Sequence, residues 1–95
     1  MAETSSNRIV ITVLGKNRAG IVAAVAQILG DASVDIKDIT QSIVGDIFTM
    51  TMIADLEGAS TTFADLQASL AQAAEEVGVS IQMQREDVFN FMYRL

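Results

Sequence analysis

From Arg8 to Leu14, apolar side chains alternate along the chain. Ile9, Ile11 and Val13 fall on one face, and Val10, Thr12 and Leu14 on the other. That period predicts a strand, and apolar character on both faces predicts a central strand covered on at least one side. The period then changes. From Gly20 to about Ala32 the residues Ile21, Val25, Ile28, Leu29 and Ala32 share one helical stripe, with Gly30 placed to help the chain leave the helix. Val34 to Val44 returns to a strand pattern whose alternation breaks between Ile36 and Ile39, which predicts a bulge or bend there. Gly45-Asp46 is a hairpin signal leading into Ile47 to Asp55, where Phe48, Met50, Met52 and Ala54 share a face. After the connector Leu56 to Ser60, Thr62 and Asp65 have capping-box spacing. Phe63, Leu66, Leu70, Ala73 and Val77 then repeat as a helix does, and Gly78 can end that helix. Val79, Ile81 and Met83 form a last short strand. Val88, Phe91, Met92 and Leu95 stand at i, i+3, i+4 and i+7, the signature of a short amphipathic helix.

The order strand, helix, strand, strand, helix, strand predicts an α+β fold. It is the ferredoxin-like βαββαβ sandwich, a four-stranded antiparallel sheet with two helices on one face, here with a short C-terminal helix. Residues 1–7 read as a disordered tail, 8–85 as the domain and 86–95 as a C-terminal helical extension. One layer of helices leaves the other sheet face open, and that face is expected to carry apolar residues. Pairing two such sheets, or joining their edges, would hide them, so a homodimer is expected. The cluster of Phe89, Phe91, Met92 and Tyr93 is expected to cover the domain or to contact a second subunit.

Composition narrows the chemistry. A chain of 95 residues allows one domain with a modest core, and a 51% hydrophobic share is high for that size, which again points to a subunit contact. The net charge of −6 and the lack of a basic run argue against nucleic acid. With no cysteine and no histidine, disulfides, thiol chemistry, the usual zinc sites and histidine proton transfer are excluded. No segment has the length and apolarity of a signal peptide or membrane span, and a cytoplasmic location is expected.

The chemistry that remains is concentrated between the first strand and the first helix. Leu14-Gly15-Lys16-Asn17-Arg18-Ala19-Gly20-Ile21-Val22 is a polar, glycine-bracketed turn that delivers the chain to a helix N-terminus. Unpaired backbone N–H groups and the positive end of the helix dipole suit a small anion such as a carboxylate there. A glycine at the opening lets a ligand reach the backbone without meeting a side chain. Gly15 and Gly20 have P-loop spacing, but Ile21 and Val22 stand where Lys and Ser or Thr are required, which argues against nucleotide hydrolysis. The central strands offer only Phe48 for base stacking, against an RNA-recognition surface. A metallochaperone would need thiolates in this loop. Met50 and Met52 alternate as core residues do, so no metal site is expected. No nucleophile stands beside a base, so no catalytic residue and no cofactor are expected. Asn17 and the glycines also suit a plain turn; Lys16 and Arg18 can attract an anion but, as long loop side chains, are expected to face solvent, and Asp35 and Asp38 read first as solvated or capping carboxylates.

The stretch Ile9-Val-Ile-Thr-Val-Leu-Gly-Lys-Asn-Arg-Ala-Gly-Ile-Val22, followed by Val34-Asp-Ile-Lys-Asp-Ile-Thr-Gln41 and Phe48-Thr-Met-Thr-Met52, resembles the ACT domain. The likeness is to its stand-alone form, related to the glycine-cleavage-system repressor family, and covers Arg8 to Arg85. ACT loops often carry Asp-Arg-Pro-Gly; here Asn17-Arg18-Ala19-Gly20 keeps the glycine. The resemblance implies a regulatory module whose ligand is often an amino acid. Such a ligand lies between the first loop and helix of one subunit and strand residues of its partner. A ligand carboxylate would take backbone donors from Gly20, Ile21 and Val22, flanked by Ala19, with Asn17 able to donate and accept. An ammonium would meet Asp35 or Asp38, with Gln41 a further polar contact. Output would pass through a separate protein partner. The other reading is an ACT-like dimerisation or interaction subunit that binds no ligand.

Overall fold

The computed structural model describes residues 7–87. The chain runs β1 (Arg8–Lys16), α1 (Ile21–Asp31), β2 (Asp35–Val44), β3 (Ile47–Asp55), α2 (Phe63–Val77) and β4 (Ser80–Arg85). The four strands form one antiparallel sheet in the order β2-β3-β1-β4, the ferredoxin-like arrangement. β1 is central, as its two apolar faces predicted. Residues 1–6 and the predicted helix over Val88–Leu95 lie outside the described residues; Glu86 and Asp87 are helical. Asn7 is anchored, its carbonyl accepting from the Leu56 N–H at 2.9 Å.

The core lies between the sheet and the helices. Ile9, Ile11 and Val13 of β1 oppose Ala54, Met52 and Met50 of β3, and all six are buried. Ile21, Val25 and Leu29 of α1 and Leu66, Leu70 and Ala73 of α2 close over them. Both methionines are packing residues, filling the middle of β3.

Helix ends follow local chemistry. Thr62 caps α2, its Oγ1 accepting from the Asp65 N–H at 3.1 Å, and Gly78 closes it in the left-handed region at φ 82°. For α1 the expectation about Gly30 is corrected. Gly30 lies inside the helix, and the left-handed step falls on Ser33 at φ 57°. There the Val34 N–H donates to the Leu29 carbonyl at 2.9 Å and the Ser33 N–H to Gly30 at 3.1 Å, the two bonds of a Schellman ending. Geometry at the C′ position decides where the helix stops, and Gly30 falls three residues short of it.

Two further expectations change. β1 runs two residues past Leu14, so Gly15 and Lys16 are strand residues and the turn is only Asn17–Gly20. The open sheet face is also more polar than expected. Thr40, Thr51, Thr12 and Gln82 lie side by side across the strands, and Ser42, Thr49, Leu14 and Ser80 form the next row. The exposed apolar surface is divided: Leu14, Val44 and Ile47 lie on this open face, as expected, and Ile36, Ile39 and Ile43 on the helix side of the edge strand β2. Every residue of β2 is exposed, and Ile36, Ile39 and Ile43 register with Ala54, Met52 and Phe48 on the helix side of the sheet. The bulge falls where the broken alternation placed it, with a register shift between Ile36 and Asp38.

Candidate functional site

The turn Asn17–Gly20 carries the chain from the end of β1 into α1, and its conformation is set from three sides. The Asn17 N–H donates to the Asp46 carbonyl in the β2–β3 hairpin at 2.7 Å. Arg18 Nη1 donates to the Val77 carbonyl at the end of α2 at 2.8 Å. Gly20 takes the N-cap position of α1 at φ 91°, and its carbonyl accepts from the Ala24 N–H at 2.9 Å. A left-handed residue is needed at that position, so glycine is the least costly choice.

The start of α1 is open to a ligand. Gly20 supplies no capping side chain, and no acidic residue lies in the first turn. A Cβ built on Gly20 would meet nothing within 4 Å. The side chain of Ile21 is buried and that of Val22 partly so, and as first-turn residues both have backbone N–H groups that point to the helix end without intrahelical acceptors. An anion placed there would meet backbone donors and the positive end of the helix dipole, with no carboxylate competing.

The other predicted residues stand apart from this turn within one chain. Asp35 registers through Asp55 with Arg8, at the far end of β1 from the turn and about 26 Å from it at ~3.3 Å per residue. It is paired with Lys37 at 3.0 Å. Asp38 registers through Ile53 with Val10, and its Oδ1 accepts from its neighbour's Ile39 N–H at 2.8 Å, which steadies the bulge. Both aspartates register with residues of the open face. Gln41 registers through Met50 with Val13, on the helix side among Ile39 and Ile43, and is the nearest of the three to the turn along the sheet. A single chain therefore unites Asn17, Ala19, Gly20, Ile21 and Val22, and leaves Asp35, Asp38 and Gln41 on the outer strand.

Arg18 is exposed, as expected of a long loop side chain, but sequence reasoning missed that its guanidinium also donates to the Val77 carbonyl. No sequence signal marked this contact, since α1 and α2 both lack a basic residue in the last turn and it is α2 that receives this guanidinium. Gly15 also changes role. A Cβ there would sit 2.8 Å from Val79 Cγ1 and 3.1 Å from Val79 Cα, so Gly15 is what lets the α2–β4 corner lie against β1. Among the described residues, no group of three or more Asp or Glu side chains is placed to hold a metal ion. No described helix is long and apolar enough to cross a membrane.

This geometry has relatives. The profile of the ACT domain matches residues 7–84. A UPF0237 protein of Methanocaldococcus jannaschii is 39% identical over 89 residues, covering 94% of this chain and 99% of that protein. An ACT domain protein from Streptococcus pneumoniae superposes with a TM-score of 0.75 at 28% identity, over 86% of this chain and 92% of that one. A putative glycine cleavage system transcriptional repressor shares the fold, with a TM-score of 0.71 at 22% identity over 82% of this chain and 44% of that one. Neither the archaeal nor the pneumococcal relative carries an enzymatic name. ACT domains are in general regulatory ligand-binding modules of amino-acid-sensing proteins, and they commonly dimerise. With a match over nearly all its described length, and with relatives that it covers almost from end to end, the chain belongs to the ACT domain family.

Proposed function

We propose that this protein is a cytoplasmic regulatory module that binds an amino acid or a related metabolite at the boundary of a homodimer. The observation that carries the reading is the start of α1, where Gly20 opens the helix with no capping side chain and free space about its Cα. A ligand carboxylate takes the N–H groups of Gly20, Ile21 and Val22, with Asn17 and Ala19 forming the wall of the turn. The ammonium is met from the second subunit, whose β2 offers Gln41, Asp35 and Asp38. The unpaired edge of β2 and its row of Ile36, Ile39 and Ile43 support dimerisation through that strand. Pairing two such edges would satisfy their backbone groups and remove the apolar row from water. Occupancy then biases the geometry of the pair, and a separate protein partner reads the change.

Mixing two defective variants tests a site shared between subunits. Gly20→Val removes the turn's half and Gln41→Ala the strand's half, so each homodimer should bind amino acids poorly. A heterodimer of the two contains one intact site, and binding measured by calorimetry should return in part. Mixed subunits that stay inactive while the heterodimer forms would rule the shared site out.

A second reading is favoured by the same β2 surface. The isoleucine row explains dimerisation without any ligand, so a constitutive interaction subunit is the alternative.

A further inference from the structure

The turn that opens the candidate site is fastened to the far end of the other helix. α2 ends in Val77 with Gly78 as its left-handed cap, and the Gly78 and Val79 N–H groups both return to the Ala74 carbonyl, at 2.8 and 3.0 Å. The Val77 carbonyl is left pointing outward, at the negative end of the helix dipole. The group that meets it is the guanidinium of Arg18, 59 residues earlier in the chain, at 2.8 Å. Gly78, held by its φ of 82°, lies beside this contact: a Cβ there would stand 3.4 Å from Arg18 Nη1. Three residues before Arg18, Gly15 lets Val79 lie against β1. The α2–β4 corner thus touches the chain on both sides of Asn17, just before the turn and within it.

We propose that Arg18 is a positioning residue that clasps the turn Asn17–Gly20 to the C-terminus of α2, so that the turn and the Val77–Ser80 corner open and close as one unit. Resting on the sensing reading above, this assigns the route by which occupancy leaves the site: through the α2–β4 corner as well as through the edge strand. It also assigns Arg18 away from direct contact with the ligand. Its bond to the Val77 carbonyl uses one of the guanidinium's five N–H donors, and carboxylate recognition is assigned to the backbone N–H groups of α1.

Amide hydrogen exchange followed by NMR tests the clasp without any ligand. The reporters are the bonded N–H groups of Asn17 and Ala24 on one side, and of Gly78 and Val79 on the other. In Arg18→Ala all four should exchange about tenfold faster, the scale set by losing one charge-assisted hydrogen bond, while Ile11 and Met52 in the core change little. Arg18→Lys, which keeps the charge and a donor, should restore much of the protection. If only Gly78 and Val79 accelerate, Arg18 is a local cap for α2 and the clasp is wrong. If none of the four changes, the contact carries no weight in solution and the clasp is again wrong. The proteinogenic amino acids, added singly, supply the second arm. One that stabilises the wild type should shift the Gly78 and Val79 signals, and that shift should be lost in Arg18→Ala. A ligand that binds the wild type without moving those two signals contradicts the route. If no amino acid stabilises the protein, the sensing reading fails, and the exchange data still decide the clasp.

Discussion

At the scale of single residues, the structure depends on a few backbone positions where side-chain size or handedness matters. Gly20 sits at φ 91° with nothing within 4 Å of a built Cβ. Replacing it with valine therefore costs backbone strain alone, about 1–2 kcal/mol for a left-handed non-glycine residue, measurable by urea denaturation. Ser33 is the reverse case, a non-glycine at φ 57° in the position where helices favour glycine. Ser33→Gly should raise stability by about 0.5–1 kcal/mol; a loss would mean that its side chain makes a contact outweighing the strain. Gly15 is constrained by space, not handedness. Gly15→Ala places a methyl 2.8 Å from Val79 Cγ1 and should cost about 1–3 kcal/mol as an overpacked contact. Part of that loss should return in a Gly15→Ala, Val79→Ala pair. Failure to recover any of it would show that the Val79 backbone, at 3.1 Å, sets the limit. None of these distinctions was legible in the sequence. A glycine before a polar turn looks alike whether it serves the turn or a neighbour 64 positions along, because the neighbour is brought there by the fold.

Elements were far more legible. Helical stripes such as Ile21, Val25 and Leu29, and the shared face of Phe48 through Ala54, follow from periodicities that the backbone imposes on any chain. The bulge near Lys37 showed itself as a broken alternation, since one extra residue turns every later side chain over. Thr62 announced the start of α2, and Thr62→Ala should cost about 1 kcal/mol of stability by freeing the Asp65 N–H. An unchanged midpoint would mean that water replaces the cap at no cost. Two things escaped. The open face was expected to carry apolar residues, and it does in Leu14, Val44 and Ile47, but the polar rows of Thr12, Thr40, Thr49 and Thr51 among them, which the alternation of each strand already placed there, were given too little weight. The candidate site was legible only in its first half. The turn and the start of α1 are contiguous in sequence, whereas Asp35, Asp38 and Gln41 lie on a strand that one chain holds away from them.

For the whole molecule, the decisive asymmetry is between the two sheet edges and the two helix ends. β2 is exposed along its full length and carries isoleucines that no element among the described residues covers completely. Small domains bury too little surface to leave such a row in water without consequence. Ile39→Lys should therefore shift the protein from dimer toward monomer in sedimentation at micromolar concentration, with little change in the circular dichroism of the domain. A variant that stays dimeric would move the interface elsewhere. The turn at α1 lies at the hairpin end of this sheet, tied to Asp46 on one side and to α2 on the other. A ligand there would thus touch both the β2–β3 hairpin, at the end of the exposed edge strand, and α2 on the other side of the turn.

The measurement that bears most directly on the regulatory reading is a thermal-shift screen of wild type and Gly20→Val against the proteinogenic amino acids, confirmed by calorimetry. A ligand at a hundred times its dissociation constant contributes about 2.7 kcal/mol, enough to raise the melting temperature of a domain this small by several degrees. One amino acid, or a chemically related few, should do so for the wild type and not for Gly20→Val. Equal shifts in both proteins would remove the α1 turn as the site, and a flat screen on a folded dimer would contradict amino-acid sensing itself.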